Sequence, residues 1–260
     1  MQERHSNRER YFHEQGILTA TYAIPYISEF KVITAGMHVA EMGCGEGGNM
    51  KPFLEMGCRV TGIDISKTKI ENAEKFFAGH PQRENLTLIA EDVYNIPPES
   101  IEKFDLIYLR DVIEHIPNQE KFLAYIKNYL KPGGVIFFGF PPWRMPFGGH
   151  QQVCKSKLLS KLPYFHLLPM PLFKAVLRLF GESEATVRSL VEVKETGISI
   201  NRFRRIIKQN RLRFCKEDYF LINPNYRIKF NLKPRKLPAL LNIPWLRDFY
   251  TTAYYCIITA

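Results

Sequence analysis

Four glycines crowd into twelve residues, VAEMGCGEGGNM at positions 39–50. Glycine at such density lets backbone come close to a ligand or a helix where a Cβ would collide. An apolar run, HVAEMG, leads in and a helical pattern, NMKPFLEMG, leads out. The local unit is therefore strand, loop, helix, which commits the chain to an α/β class of fold. Two spacings overlap in the loop. G-x-G-x-x-G runs through Gly43, Gly45 and Gly48, and E-x-G-x-G-x-G runs through Glu41, Gly43, Gly45 and Gly47. The first pattern seats a pyrophosphate on a helix N-terminus, where a carboxylate just before the glycines is unwelcome. The second sets that carboxylate beside a cationic, phosphate-free nucleoside. The loop by itself serves either, so the choice falls to the rest of the chain.

Downstream the same rhythm repeats. CRVTGIDIS reads as a second strand, and SKTKIENAEKFFAG as a helix with Ser66 placed to cap it and Gly79 to end it. LTLIAEDV and KFDLIYLRD read as third and fourth strands. NQEKFLAYIKNYL is a helix, KPGG a turn and VIFFGF a fifth strand. Alternation of this kind builds a doubly wound, mostly parallel sheet with helices on both faces. The rhythm breaks at Pro141. PPWRMPFGGHQQ is turn-rich, and KLLSKLPYFHLLPMPLFKAVLRLFG is apolar, basic and interrupted by prolines. A helix is expected from Ser199, with Phe203, Ile206 and Ile207 inward and Arg202, Arg204, Arg205 and Lys208 outward. RFCKEDYFLI and FYTTAYYCIIT then read as late strands. The expected organisation is a seven-stranded core formed by 1–141 and 197–260, with a helical insertion at 142–196 after the fifth strand.

Charge is unevenly spread over the 260 residues. Residues 1–150 hold 16 Lys/Arg and 19 Asp/Glu, whereas residues 151–260 hold 20 and 7, for a net +10 overall. The basic second part favours anionic partners: phosphate-bearing substrates, membrane surfaces or nucleic acid. Solvated helix faces account for such charge equally well. Cys44, Cys58, Cys154, Cys215 and Cys256 are scattered, with no C-x-x-C pair. That argues against a disulfide framework and a zinc site, and suits a reducing cytoplasm. The polar start MQERHSNRERYFHEQ lacks the apolar stretch of a signal peptide, and no apolar run reaches the length of a membrane span. A cytoplasmic protein is the expectation.

Carboxylates at the strand ends decide between the two loop readings. Asp64, in GIDIS, can accept from both hydroxyls of a ribose, which suits either nucleotide class. Asp92, in AEDV, can accept from an adenine amino group while the Val93 N–H serves a ring nitrogen; its alternative is a turn cap. Glu41 suits a positive methionine end and not a pyrophosphate. In order, VAEMGCGEGGN, GIDIS, AEDV, FDLIYLRDVIEHIPN and LKPGGVIFFGF resemble the motifs of class I S-adenosyl-L-methionine (SAM)-dependent methyltransferases. The likeness is to the methyltransferase type 11 branch that includes quinone-biosynthesis methyltransferases. It covers about residues 35–140 and, more loosely, 197–260. The resemblance implies SAM as cofactor and S-adenosyl-L-homocysteine as product. It puts Glu41, Gly43, Cys44, Gly45 and Gly47 at the methionine end, Asp64 and Ile65 at the ribose, Asp92 and Val93 at the adenine, and Arg110 near the methyl. It also implies an N-terminal helix carrying Tyr11 and Phe12 over the cofactor, with simple packing as the alternative.

Methyl transfer from a sulfonium is an in-line displacement, for which the protein mainly aligns the groups and excludes water. Where a base is needed, His115 in EHIP and His150 in GGHQ are the candidates; Glu114 and His115 can equally be a structural pair. No metal ligand set is expected. FPPW at 140–143 approaches the motif of enzymes that methylate nucleobase amines, but it follows the fifth strand instead of the fourth, and Phe140 replaces the polar residue. The insertion reads as a lid over an apolar, small-molecule acceptor, drawn from an anionic membrane surface by its basic flanks, or as a packed helical cap. Trp143, Tyr164 and His166 are candidate acceptor residues. The alternatives are an RNA-modifying methyltransferase using the basic C-terminal part, a non-catalytic SAM-fold protein, and an NAD-dependent oxidoreductase.

Overall fold

The computed structural model describes residues 7–260; the first six residues, which carry part of the polar N-terminal stretch, lie outside the described residues. In chain order, α1 (Arg8–Leu18) passes through a π turn at Thr19–Ala23 into α2 (Ile24–Ser28). There follow β1 (His38–Met42), α3 (Lys51–Glu55), β2 (Arg59–Asp64), α4 (Lys67–Phe77), β3 (Leu86–Ala90) and β4 (Phe104–Arg110). Next come α5 (Gln119–Ile126) and β5 (Leu130–Phe140), then α6 (Met170–Leu179), α7 (Glu184–Thr196) and α8 (Ile200–Gln209). The last elements are β6 (Arg213–Ile222), α9 (Tyr226–Phe230), β7 (Arg235–Lys236), α10 (Arg247–Tyr250) and β8 (Ala253–Thr259). One sheet joins all eight strands in the order 3-2-1-4-5-8-6-7. The first five are parallel, while β8 pairs antiparallel with both β5 and β6.

Period-two alternation sorts side chains onto the two faces. Ile107, Leu109, Ile136, Phe138, Tyr254 and Cys256 share one core, which α5 covers with Phe122, Leu123 and Ile126 and α8 covers with Phe203, Ile206 and Ile207. Leu106, Tyr108, Val135, Phe137, Tyr255 and Ile257 face the other core, against Tyr26 and Ile27, Phe53 and Leu54 of α3, and Phe77 of α4. Phe203 is fully buried, and burying a side chain of that size contributes about 2–3 kcal/mol. Ser199 caps α8 by accepting from the Arg202 N–H at 3.2 Å. A third, smaller cluster (Phe165, Phe173, Leu177, Val187, Leu190) holds the segment between β5 and α8 together.

Four sequence expectations need correction. The sheet has eight strands, not seven, because Arg235–Lys236 adds a two-residue edge against β6, too short to leave a periodic trace. KPGG lies inside β5, where Gly133 takes φ 73° and the register to β4 shifts; a bulge absorbs the expected turn. Ser66 stands at the start of α4 without a side-chain capping bond, and Asp64 accepts from its N–H instead. The last strand begins at Ala253, after a helical turn at 247–250.

Candidate active site at the carboxyl edge of the parallel strands

The glycine loop leaves β1 and folds back on β2, with Gly43 and Cys44 N–H both donating to the Ile63 carbonyl, at 2.8 and 3.1 Å. Asp64, at the tip of β2, shapes it further. One carboxylate oxygen accepts from Gly45 N–H and the other from Ser66 N–H, both at 2.8 Å. The loop glycines do different work. Gly47 has φ 86°, and a Cβ there would come within 2.7 Å of Met50 and 2.8 Å of Phe77. Gly45 has φ 56° but faces open space, with nothing nearer than Lys69 at 4.0 Å. Gly47→Ala is therefore expected to lower stability by about 2–4 kcal/mol, from backbone strain plus overpacking. Gly45→Ala should cost only about 1 kcal/mol yet weaken nucleoside binding; paired denaturation and calorimetry check both.

Glu41 lies within β1, 2% exposed. Its Oε1 accepts from Asn49 Nδ2 at 2.7 Å, and its Oε2 is buried with no hydrogen-bond partner among the described residues. Desolvation pushes its pKa up to about 8, against the pull of Asn49 and Arg110. Asn49 joins several elements: its Oδ1 accepts from Thr19 Oγ1 at 2.8 Å and from Arg110 Nη1 at 3.3 Å. The π turn of the N-terminal helix carries Thr19, whose hydroxyl also meets Tyr108 OH at 3.2 Å. Arg110, buried at the tip of β4, donates its other Nη to Asn225, and Asn223 Oδ1 in turn receives the Asn225 N–H at 2.8 Å. None of Thr19, Asn49, Tyr108 and Asn225 stood out in the sequence; Asn49 alone had a local signal, following the glycines directly.

The other expected site residues divide. Ile65 projects from the end of β2, 74% exposed beside the Asp64 carboxylate, an unusual place for a bare aliphatic chain. Asp92 acts as the turn cap, its Oδ1 accepting from Tyr94 N–H at 3.0 Å with Val93 between them. Cys44 is buried, its thiol beside Gly62 and 3.7 Å from the Gly45 carbonyl. Phe12 is buried against Phe76 and Phe77, which is the packing alternative. His166 departs from its expected role. It is fully buried, its Nε2 lies 2.8 Å from the Trp143 carbonyl, and desolvation lowers its pKa to about 4. Trp143 packs edge-on against it and lies where a Cβ on Gly197 would sit, 2.4 Å away. Tyr164 is exposed at 37% and donates to the Phe249 carbonyl at 3.1 Å.

His115 and His150 come together, their rings 5.0 Å apart at 62°. Beside them Glu114 is buried, both carboxylate oxygens lack partners among the described residues, and desolvation with nearby Asp111 raises its pKa well above the usual range. One ligating atom from each of Glu114, His115 and His150 falls within 4.8 Å of the others, close enough to share a cation. The sequence, read without a metal set, did not join these three, because His150 reaches the group through a left-handed turn at φ 54° beyond β5. His115 is exposed overall, yet desolvation of its ring lowers its pKa.

A parallel sheet returned by antiparallel strands, with carboxylates at the ends of two neighbouring strands and a glycine loop between them, gives this domain the Rossmann-like fold of solved methyltransferases. Residues 40–138 match the methyltransferase domain family. Among similar proteins, the ubiquinone biosynthesis O-methyltransferase of Coxiella burnetii is 29% identical over 115 residues, 44% of this chain and 47% of that one. The sterol 4-C-methyltransferase strm-1 of Caenorhabditis elegans is 30% identical over 109 residues, 42% of this chain and 32% of its own. The chain thus spans about half the length, or less, of these curated relatives. The fold extends further: the plantazolicin methyltransferase BamL, solved with a triazolic desmethylPZN analog and SAH, superposes with a TM-score of 0.59 at 13% identity, over 98% of this chain and 87% of that one. The mitomycin 7-O-methyltransferase MmcR gives 0.53 at 14% identity, over 99% and 58%.

Proposed function

We propose that the chain transfers a methyl group from S-adenosyl-L-methionine to a small, lipid-like acceptor. The observation that carries this is the buried Glu41 Oε2, a carboxylate oxygen with no hydrogen-bond partner at the base of a loop whose Gly45 faces open space. A cationic amino group, and not a pyrophosphate, satisfies that oxygen. Glu41 and the loop main chain would hold the methionine end. Asp64, whose oxygens each keep a second lone-pair site, would take the ribose diol with Ile65 beside it, and Asp92 and Val93 would take the adenine. When bound, the cofactor supplies an electrophilic methyl on a sulfonium that leaves as a neutral thioether.

Arg110, pinned by Asn49 and Asn225, would wall the methyl side. His115 and His150 lie in the loops beyond β4 and β5, at the edge where ligands of such sheets bind. The lowered pKa of His115 keeps its imidazole neutral at pH 7, able to accept an acceptor's proton. We assign 142–196 the role of acceptor lid, with Tyr164 as its accessible polar group. The lipid-like reading draws on relatives named for ubiquinone and sterol methylation. Base methylation in RNA is disfavoured, because Phe140 of FPPW is buried in the β5–β8 ladder opposite Tyr254.

Labelled SAM supplied with a lipid extract and, separately, with total RNA tests the assignment. Label entering RNA alone, or calorimetric binding of NAD in place of SAM, overturns it. His150→Ala is expected to cut turnover by about a hundredfold with SAM affinity unchanged. The wild-type rate should rise with pH through the titration of His115, below the usual histidine range, and then level. Turnover lost on chelation and restored by a divalent cation would reassign Glu114, His115 and His150 to metal binding.

A further inference from the structure

The connection between β6 and β8 leaves the sheet on the same edge as the glycine loop. Phe140, at the carboxyl end of β5, pairs with Tyr254 near the start of β8, and Ala253 pairs with Phe220 near the end of β6. The hydrogen bond from Arg110 to Asn225 ties the root of this connection to the site. From Tyr219 through Arg247 the sequence contains no acidic residue. Arg227, Lys229, Lys233, Arg235 and Lys236 are all exposed along it. Between and beyond them stand bare apolar side chains: Phe230, Leu232, Leu240 at 77%, Ile243, Trp245 at 69%, and Leu246. Pro234, Pro238 and Pro244 stiffen the loops that carry them. Trp245 is held at φ 81°, a backbone region that bulky residues rarely occupy. Its indole stays in solvent with the Arg144 guanidinium 5.9 Å from the ring.

We propose that residues 226–250 dock on an anionic lipid bilayer and so turn the mouth of the methyl-transfer site toward the membrane. Interspersed cations, aliphatic tips and an outward tryptophan match the boundary between headgroups and acyl chains, where each kind of side chain finds its own layer. A nucleic acid would reward the charges but leave the leucines and isoleucine in water. The docking surface stands without the methyl-transfer reading; only its orientation toward a lipid acceptor depends on that reading.

Co-sedimentation of the full chain with phosphatidylcholine vesicles, with and without phosphatidylglycerol, tests this, with SAM affinity measured in parallel. Association is expected only with the anionic vesicles. Replacing Arg227, Lys233 and Arg235 together by Gln should weaken it on the order of a hundredfold, from about fivefold per charge near the surface. Trp245→Ser with Leu246→Ser should remove the part that survives high salt. Both variants should keep wild-type SAM affinity. Absence of vesicle association, association unchanged in both variants, or retention on RNA but not on vesicles would overturn the docking surface. Anionic-vesicle binding with these losses, in a chain that binds no SAM, would uphold docking and remove the methyl-transfer reading alone.

Discussion

Asp64→Ala is expected to lower SAM affinity by about a hundredfold or more, the loss of two charge-assisted hydrogen bonds to a ribose diol. The same substitution removes the acceptor for Gly45 and Ser66 N–H, so part of the loss comes through the loop's own shape. Asp64→Asn separates the two contributions. It keeps one oxygen for the loop but cannot accept from both hydroxyls, so it should retain most of the thermal stability while still losing much of the affinity. Calorimetry for binding and thermal denaturation for stability give the comparison. Full affinity in either variant would move the ribose away from β2.

The second large effect is a proton released on binding. The Glu41 carboxyl, raised from its ordinary 4.5 to about 8 by burial, is mostly protonated at pH 7 in the ligand-free protein. An ammonium set against it demands the carboxylate. SAM affinity should therefore rise with pH up to about 8 and level beyond it, with release of about 0.9 proton per complex at pH 7. Calorimetry at pH 7 in two buffers of different ionisation enthalpy measures that number. Glu41→Gln should abolish the release and flatten the pH dependence. The ligand-free protein shows the opposite linkage. Glu41 binds its proton more tightly folded than unfolded, so its contribution to stability is complete below about 4.5 and is lost as pH rises through about 8. A ligand-free stability that climbed over that interval would mean that Glu41 is ionised in the fold.

Much of this was legible in the chain because short-range chemistry dictates it. The five parallel strands showed as apolar runs between helical periods. Gly57 follows α3 at φ 77°, the left-handed position that glycine fills where a helix stops, and Phe203, Ile206 and Ile207 turn inward on a helix that Ser199 starts. What escaped depends on contacts between residues far apart in sequence. Asn49 meets Thr19 only because a π turn rotates one hydroxyl toward the sheet, and it meets Arg110 only because β1 and β4 are neighbours. His166 looked like a pocket residue because histidine near aromatics suggests one; glycine at 149 instead lets it pack directly onto the backbone, where a Cβ would lie 2.2 Å from its own. The stretch between the two late strands is visibly basic and proline-rich in sequence, but only the fold reveals that its Phe230, Leu232, Leu240, Ile243, Trp245 and Leu246 stay uncovered.

The antiparallel return also imposes an order of assembly. β8 sits between β5 and β6, and Tyr26 OH in α2 donates to the Tyr255 carbonyl at 3.0 Å. While the polypeptide is still being made, the parallel half can form with β5 as a bare, aromatic border bearing Phe137, Phe138 and Phe140. That border stays sticky until residues 253–259 emerge and slot in. Ribosome-bound intermediates halted before that point are the species a chaperone would have to shield.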